Sequence, residues 1–387
     1  MHSPRAPARS GLRTLAVLLV LVVAAAVRWS AARALPPDYD EYDYIRLGHR
    51  YAERMTAGRW HELPEVTENP EHPPLVKLLY GAALKVSGAP EPDWKAVEVG
   101  QAMPDQARPA YAATRAVSAA AGVLQVGLAA AVSAPGGLWL ALDTYHAKYT
   151  AQAYLEGVAG LFALLSILLF ERALRRREPQ GLIPEVSPPA TGLLLLSAAA
   201  LALATASKYP FGLVVGLTLL PFLLHRTRGR PGLLVAFGAV GLAVFVAADP
   251  YLWVHPVDRI WSSVTYHFGY TTGDSVRRAG LPWFQPLRWL TFAGPAEWHR
   301  GVFPVAFLDA AILVVALLSA PAAVARRPVF AAWAAVGLLF LLAWPTKWPQ
   351  YTLLVRTPLA VCAGLGLTAL SERLLLRRRP APDRLGP

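Results

Sequence analysis

The chain has 387 residues, 55% hydrophobic and 16% charged, with a mean hydropathy of +0.37. A soluble domain carries about 25% charged residues, so this balance excludes an ordinary cytosolic enzyme, a disordered chain and a nucleic-acid-binding protein. The net charge of +12 sits in short arginine runs between long apolar segments, which is how a membrane protein carries positive charge.

A spanning helix needs about 20 mostly apolar residues. On that measure the candidate spans are 12–33, 110–133, 136–150, 153–171, 191–207, 210–224, 231–248, 303–320, 328–344 and 351–370. The chain is therefore expected to be an all-α integral membrane protein of about ten transmembrane helices. The first span follows a basic start (Arg5, Arg9, Arg13). Its apolar run is long enough to cross, so it reads as a retained helix and not a cleaved signal peptide. The single cysteine, Cys362, falls in the last span and excludes an intrachain disulfide or a Cys-based metal site.

Orientation follows from Lys and Arg in the short loops. With the N-terminus in the cytoplasm, Arg172, Arg175, Arg176 and Arg177 fall inside, as do Arg226, Arg228, Arg230, Arg326 and Arg327. So do Arg373, Arg377, Arg378 and Arg379, whereas the short outer turns carry one lysine each: Lys148, Lys208 and Lys347. Both termini are thus expected in the cytoplasm, with 1–370 as one transmembrane domain and 371–387 as a basic tail. The tight place is 110–150, where two spans must turn at Pro135-Gly136-Gly137; the second is short and polar-ended, and could be tilted or re-entrant. Two long external segments remain, 34–109 and 249–302.

The chemistry-bearing residues collect at the outer ends. From Pro37 to Gly58 the chain fits a helix on the membrane surface, with Tyr42, Ile45, His49 and Ala52 on one stripe and Asp40 and Asp43 on another. Its acidic start has two readings: one of Asp40 or Glu41 as a general base, or carboxylates that favour the helix dipole. A second surface helix follows Pro73-Pro74 and ends at Gly88, too short to cross. Lys77, Gly81 and Lys85 share a face of it, suited to pairing with a lipid phosphate or to snorkelling.

Lys148, Lys208 and Lys347 each lie beside a Tyr or Trp, as interfacial anchors or, converging, as a phosphate site. Glu156 lies just inside a span, where a carboxylate needs a partner; Lys148, Lys208 and Arg115 are the candidates. His49, His61, His72, His146, His255, His267 and His299 also lie outside, but no spacing specifies a metal site.

In this order the residues resemble the GT-C superfamily of polytopic glycosyltransferases, in particular the protein O-mannosyltransferase/aminoarabinose-transferase-like branch. The acidic pair Asp40-Glu41 comes first, then His72-Pro73-Pro74-Leu75-Val76-Lys77, then the stretch from Tyr145 and His146 to Glu156. Ser207-Lys208-Tyr209, Asp249-Pro250-Tyr251-Leu252-Trp253 and Lys347-Trp348-Pro349-Gln350-Tyr351 complete the set, which spans 12–370. The resemblance implies a polyprenyl-phosphate sugar donor, inversion at the anomeric carbon and catalysis on the non-cytoplasmic face. It implies Asp40 as base beside Glu41, with His72, Lys77, Lys208 and Lys347 near the carrier phosphate. Tyr42, Asp143, Tyr145, His146, Lys148, Glu156, Tyr209 and Tyr351 are the expected cavity residues. By analogy no cofactor is required, and divalent metal dependence stays open. The acceptor, whether protein, glycolipid or envelope glycan, does not carry over, because the family's soluble C-terminal additions have no counterpart here. The competing class is a transporter or flippase of a lipid-linked sugar, which would place polar groups near mid-membrane and repeat its halves; neither feature is evident.

Overall fold

A computed structural model describes residues 6–174 and 190–377. Arg5, Arg175, Arg176, Arg177, Arg378 and Arg379 of the charge pattern lie outside the described residues, as does most of the tail 371–387. Among the described residues the chain is helical, without strands. In chain order the helices are α1 (Ala6–Ala34), α2 (Tyr39–Thr56), α3 (Leu75–Ser87), α4 (Arg108–Val132), α5 (Ala134–Leu142) and α6 (Thr144–Ala151). Next come α7 (Glu156–Leu174), α8 (Thr191–Ser207), α9 (Tyr209–Arg226), α10 (Pro231–Ala248), α11 (Pro256–Thr271) and α12 (Asp274–Ala279). The last are α13 (Gln285–Thr291), α14 (Gly294–Trp298), α15 (Phe307–Leu318), α16 (Ala320–Arg326), α17 (Pro328–Ala343) and α18 (Leu353–Arg377).

Among the described residues six helices are long and apolar enough to cross a membrane: α1, α4, α7, α9, α10 and the stretch through α18. The pair α15–α16, bent by 64°, is a broken span or a re-entrant loop and brings the number to seven if counted as one span; α8 and α17 are shorter apolar helices. The protein is a multi-pass membrane protein. The expected span 136–150 differs from a single helix: it is α5 and α6, broken at Asp143. Asp143 ends α5 and caps α6, accepting from the His146 N–H at 2.7 Å. The break frees carbonyls that Arg28 of α1 covers, donating to Ala141 O (3.3 Å) and Leu140 O (3.4 Å). Non-helical backbone at membrane depth is tolerated where protein groups satisfy it in this way.

α18 is the most enclosed of the long helices. It packs on α5, α15 and α17, while α4 joins α1, α5 and α7, and α8 lies between α7 and α10. Small residues permit the closest approach: a Cβ on Gly364 of α18 would lie 2.3 Å from the Gly136 nitrogen of α5.

α2 and α3 pack on each other and on α4. α2 begins with a capping box, in which Asp38 caps the helix and the Asp38 N–H donates to Glu41 Oε2 at 3.0 Å. α2 crosses α3 where Gly48 meets Gly81, a contact any Cβ on Gly81 would block at 2.7 Å from Gly48 O. The buried face of α2 carries Glu41, Tyr44, Ile45, Gly48, Tyr51 and Ala52. It is rotated from the expected Tyr42–His49 stripe because Glu41 is drawn into the protein. Tyr42 and His49 pack at the edge against Trp94, with ring centroids at 5.1 and 6.2 Å. α3 matches its expected extent and ends at Gly88, whose φ of 64° suits glycine.

Candidate active site

Neighbouring carboxylates on α2 have opposite surroundings. Glu41 is fully buried and receives a two-pronged ion pair, Arg115 Nε to Oε1 at 2.8 Å and Nη2 to Oε2 at 2.6 Å. The Ala153 N–H also donates to Oε1 at 2.6 Å. Arg115 in turn donates to the carbonyls of Ala32, Leu35 and Pro36, each at 2.8 Å. Glu41 thus ties the start of α2 to the end of α1, to α4 and to the link before α7.

Asp40 has no ion-pair partner among the described residues; its one side-chain hydrogen bond comes from Gln350 Nε2 at 3.4 Å. Burial pushes its carboxyl up to about 7; Lys208 pulls down, whereas Glu156, Asp38 and Asp43 push further up. Around it stand Tyr44, Tyr149, Tyr154 and Tyr351, and burial followed by the Asp40 charge lowers the acidity of the Tyr44 hydroxyl.

Lys208, at the turn between α8 and α9, pairs with Glu156 at the start of α7; both are buried. The Lys208 ammonium also lies 5.1 Å from the Tyr351 ring centroid. Glu156 Oε2 is buried without a hydrogen-bond partner, as is the Tyr44 hydroxyl. Of the three candidate partners for Glu156, Lys208 is the one present. Lys148 instead pairs with Asp38, donates to Gln152 at 2.9 Å and lies over the Tyr149 and Tyr154 rings.

The His72–Lys77 segment holds itself together. Lys77 Nζ donates to His72 O (2.7 Å), Asn69 Oδ1 (3.2 Å) and Asn69 O (3.3 Å), and burial pulls its ammonium down to about 8. All three lysine donors are therefore used within the loop. His72 is held neutral by burial, with Lys208, Lys77 and His267 adding to the effect. Its ring packs edge-on to Tyr44 at 5.7 Å and to His267 at 6.2 Å.

Other expected residues lie apart from the Asp40 group. Lys347 donates to the last carbonyls of α17, Leu341 O (2.7 Å) and Leu342 O (2.9 Å), and caps that helix. Asp143 belongs to a fully buried triad with Arg356 and Asp309, and Tyr145 lies under the Arg356 guanidinium at 4.3 Å. His146 Nδ1 meets Arg28 at 2.5 Å and its Nε2 meets Gln125 at 3.1 Å, inside the helix bundle. Arg28, Arg356 and Asp309 were legible as charges within apolar runs, but their pairing was not.

Tyr209 lines an apolar cavity of about 380 Å³ between α9, α10 and α11, together with Leu213, Phe245, Val264, His267 and Trp344. His267 joins this cavity to the polar group: its Nε2 bonds Glu71 O at 3.0 Å while its ring packs on His72 and on Trp344. Among the described residues no group of three His, Cys, Asp or Glu could hold a metal ion.

The helical bundle has the fold of solved GT-C membrane proteins. Among solved structures with this fold, ArnT from Cupriavidus metallidurans bound to undecaprenyl phosphate superposes with a TM-score of 0.57 at 19% identity, over 95% of this chain and 62% of that one. Its apo state gives 0.58 at the same identity, over 96% and 62%. The archaeal oligosaccharyltransferase AglB from Archaeoglobus fulgidus, in complex with an inhibitory peptide and a dolichol-phosphate, gives 0.52 at 14%, over 96% and 52%. The chain thus spans less than two thirds of the length of these proteins, and at these identities the likeness is one of fold. No protein-family model and no curated protein matches the sequence.

Proposed function

We propose that this protein is a membrane glycosyltransferase that moves a sugar from a polyprenyl-phosphate donor to an acceptor on the non-cytoplasmic face, with inversion. The observation that carries this reading is Asp40: a carboxyl pushed up to about 7, free of any ion pair among the described residues, beside Lys208 and Glu156. Such a group is matched to general-base work near neutral pH. The apolar cavity suits a prenyl chain, and the ArnT structure with undecaprenyl phosphate is the precedent for that class of ligand.

In the proposed step the acceptor's hydroxyl or amine gives its proton to Asp40 as its oxygen or nitrogen bonds the anomeric carbon. The bond from that carbon to the phosphate oxygen breaks, and its electron pair leaves with the lipid phosphate. Lys208 and the N–H of neutral His72 face the charge that develops there. The free Oε2 of Glu156 accepts a sugar hydroxyl. Glu41 supports the base by anchoring α2, and Lys77 supports His72 by shaping its loop.

The test is mass spectrometry of lipids that co-purify with the protein, comparing wild type with Leu213→Trp, which narrows the cavity at a half-exposed position. A polyprenyl phosphate or its sugar adduct in wild type, lost in the variant, is expected and would name the sugar. Wild type that is folded yet carries no prenyl lipid would overturn the donor assignment. Acceptor-dependent release of that sugar then separates transfer from transport.

A further inference from the structure

Helix α11 is divided lengthwise into three faces. At 3.6 residues per turn, Arg259, Ser263, His267 and Tyr270 fall on one side, and each is tied to the protein. Arg259 donates to Pro64 O at 2.7 Å, Ser263 Oγ to Pro70 O at 2.7 Å, and the Tyr270 hydroxyl accepts from Trp348 Nε1 at 3.0 Å. A second side carries Asp258, Ser262 and Thr265, polar and exposed. The third carries Val257, Ile260, Trp261, Val264 and Phe268, a continuous apolar stripe with Val257 77%, Trp261 67% and Phe268 72% exposed.

A water-exposed stripe of this size on a helix fixed along its opposite side needs an apolar covering. What adjoins it is the outer surface of the spans. The stripe borders the cavity shared with α9 and α10, whose outward residues Leu213, Leu217 and Leu242 are also exposed. Trp253, exposed at the turn before α11, anchors its indole N–H on Val246 O of α10 at 2.8 Å. The polar sector beside the stripe supplies the headgroup-facing side that an interfacial helix requires. α2 and α3, the expected surface helices, bury their faces against each other and against the protein. We propose that α11 is a membrane-embedded interfacial helix, with Val257, Trp261, Val264 and Phe268 in the acyl region of the leaflet on the Asp40 side and Asp258 and Ser262 in water. This rests on the fold and the surface, and is independent of the glycosyltransferase reading.

The test uses the full chain in lipid nanodiscs, in a Cys362→Ala background, with single cysteines replacing Trp261, Phe268, Asp258 or Ser262 and carrying a bimane label. Lipids with brominated acyl chains are expected to quench the labels at 261 and 268 severalfold more than those at 258 and 262, and aqueous iodide the reverse. Equal iodide quenching at all four sites would overturn the proposal. Labels at 261 and 268 shielded from both quenchers would also overturn it, pointing to a protein partner or a second copy on this face. Val257→Cys replaces any stripe variant that does not fold.

Discussion

Arg115 grips Glu41 with two parallel hydrogen bonds, whereas Asp40, one residue earlier, has no ion pair among the described residues and one weak hydrogen bond from Gln350. The two substitutions should therefore fail in different ways. Asp40→Asn should keep the melting temperature and lower sugar transfer by about 10²- to 10⁴-fold, the usual contribution of a general base. Glu41→Gln should lower stability by about 3–5 kcal/mol, because it leaves Arg115 buried without its charge partner. Thermal melts and transfer assays on both variants check the division of labour.

The pH profile follows from the raised carboxyl. A base works unprotonated, so transfer should rise as pH increases through about 7, the value to which burial pushes Asp40. The rising limb should disappear from the residual activity of Asp40→Asn. A limb that persists there would assign the titration to another group.

The Lys208–Glu156 pair is buried and acts electrostatically on Asp40, the proposed base. Lys208→Met should strand Glu156 and cost about 3–5 kcal/mol, while the double variant Lys208→Met with Glu156→Gln should recover much of that loss. Under the proposed mechanism transfer should stay low in the double variant, since the cation assigned to the leaving phosphate is gone. A double variant with normal turnover would make the pair purely structural.

Arg356 joins Asp143 at the α5–α6 break to Asp309 of α15. Arg356→Met should destabilise the protein strongly, by about 3–5 kcal/mol, because two buried carboxylates lose one shared cation. Adding Asp143→Asn and Asp309→Asn should restore stability towards wild type, as measured by melting in detergent.

The membrane class, the extent of most helices and the acidic start of α2 were legible in the sequence, because apolar length and a capping residue are local properties. Glycine at Gly88 and the paired prolines before Leu75 bounded α3 for the same reason. The ordered motif residues also led to the GT-C fold that the solved structures share. What only the tertiary structure decided was the partner of each charge. Glu41 and Asp40 are neighbours of the same chemistry, and spacing left either one as the candidate base; Arg115, far away in the chain, distinguishes them by pairing with Glu41. Lys208 and Lys347 look alike beside their aromatic neighbours, yet one faces Glu156 and the other caps α17, because the packing of the helices sets which acceptors a side chain can reach. The break at Asp143 likewise depended on Arg28 and Arg356, distant cations that satisfy the carbonyls and the carboxylate it frees.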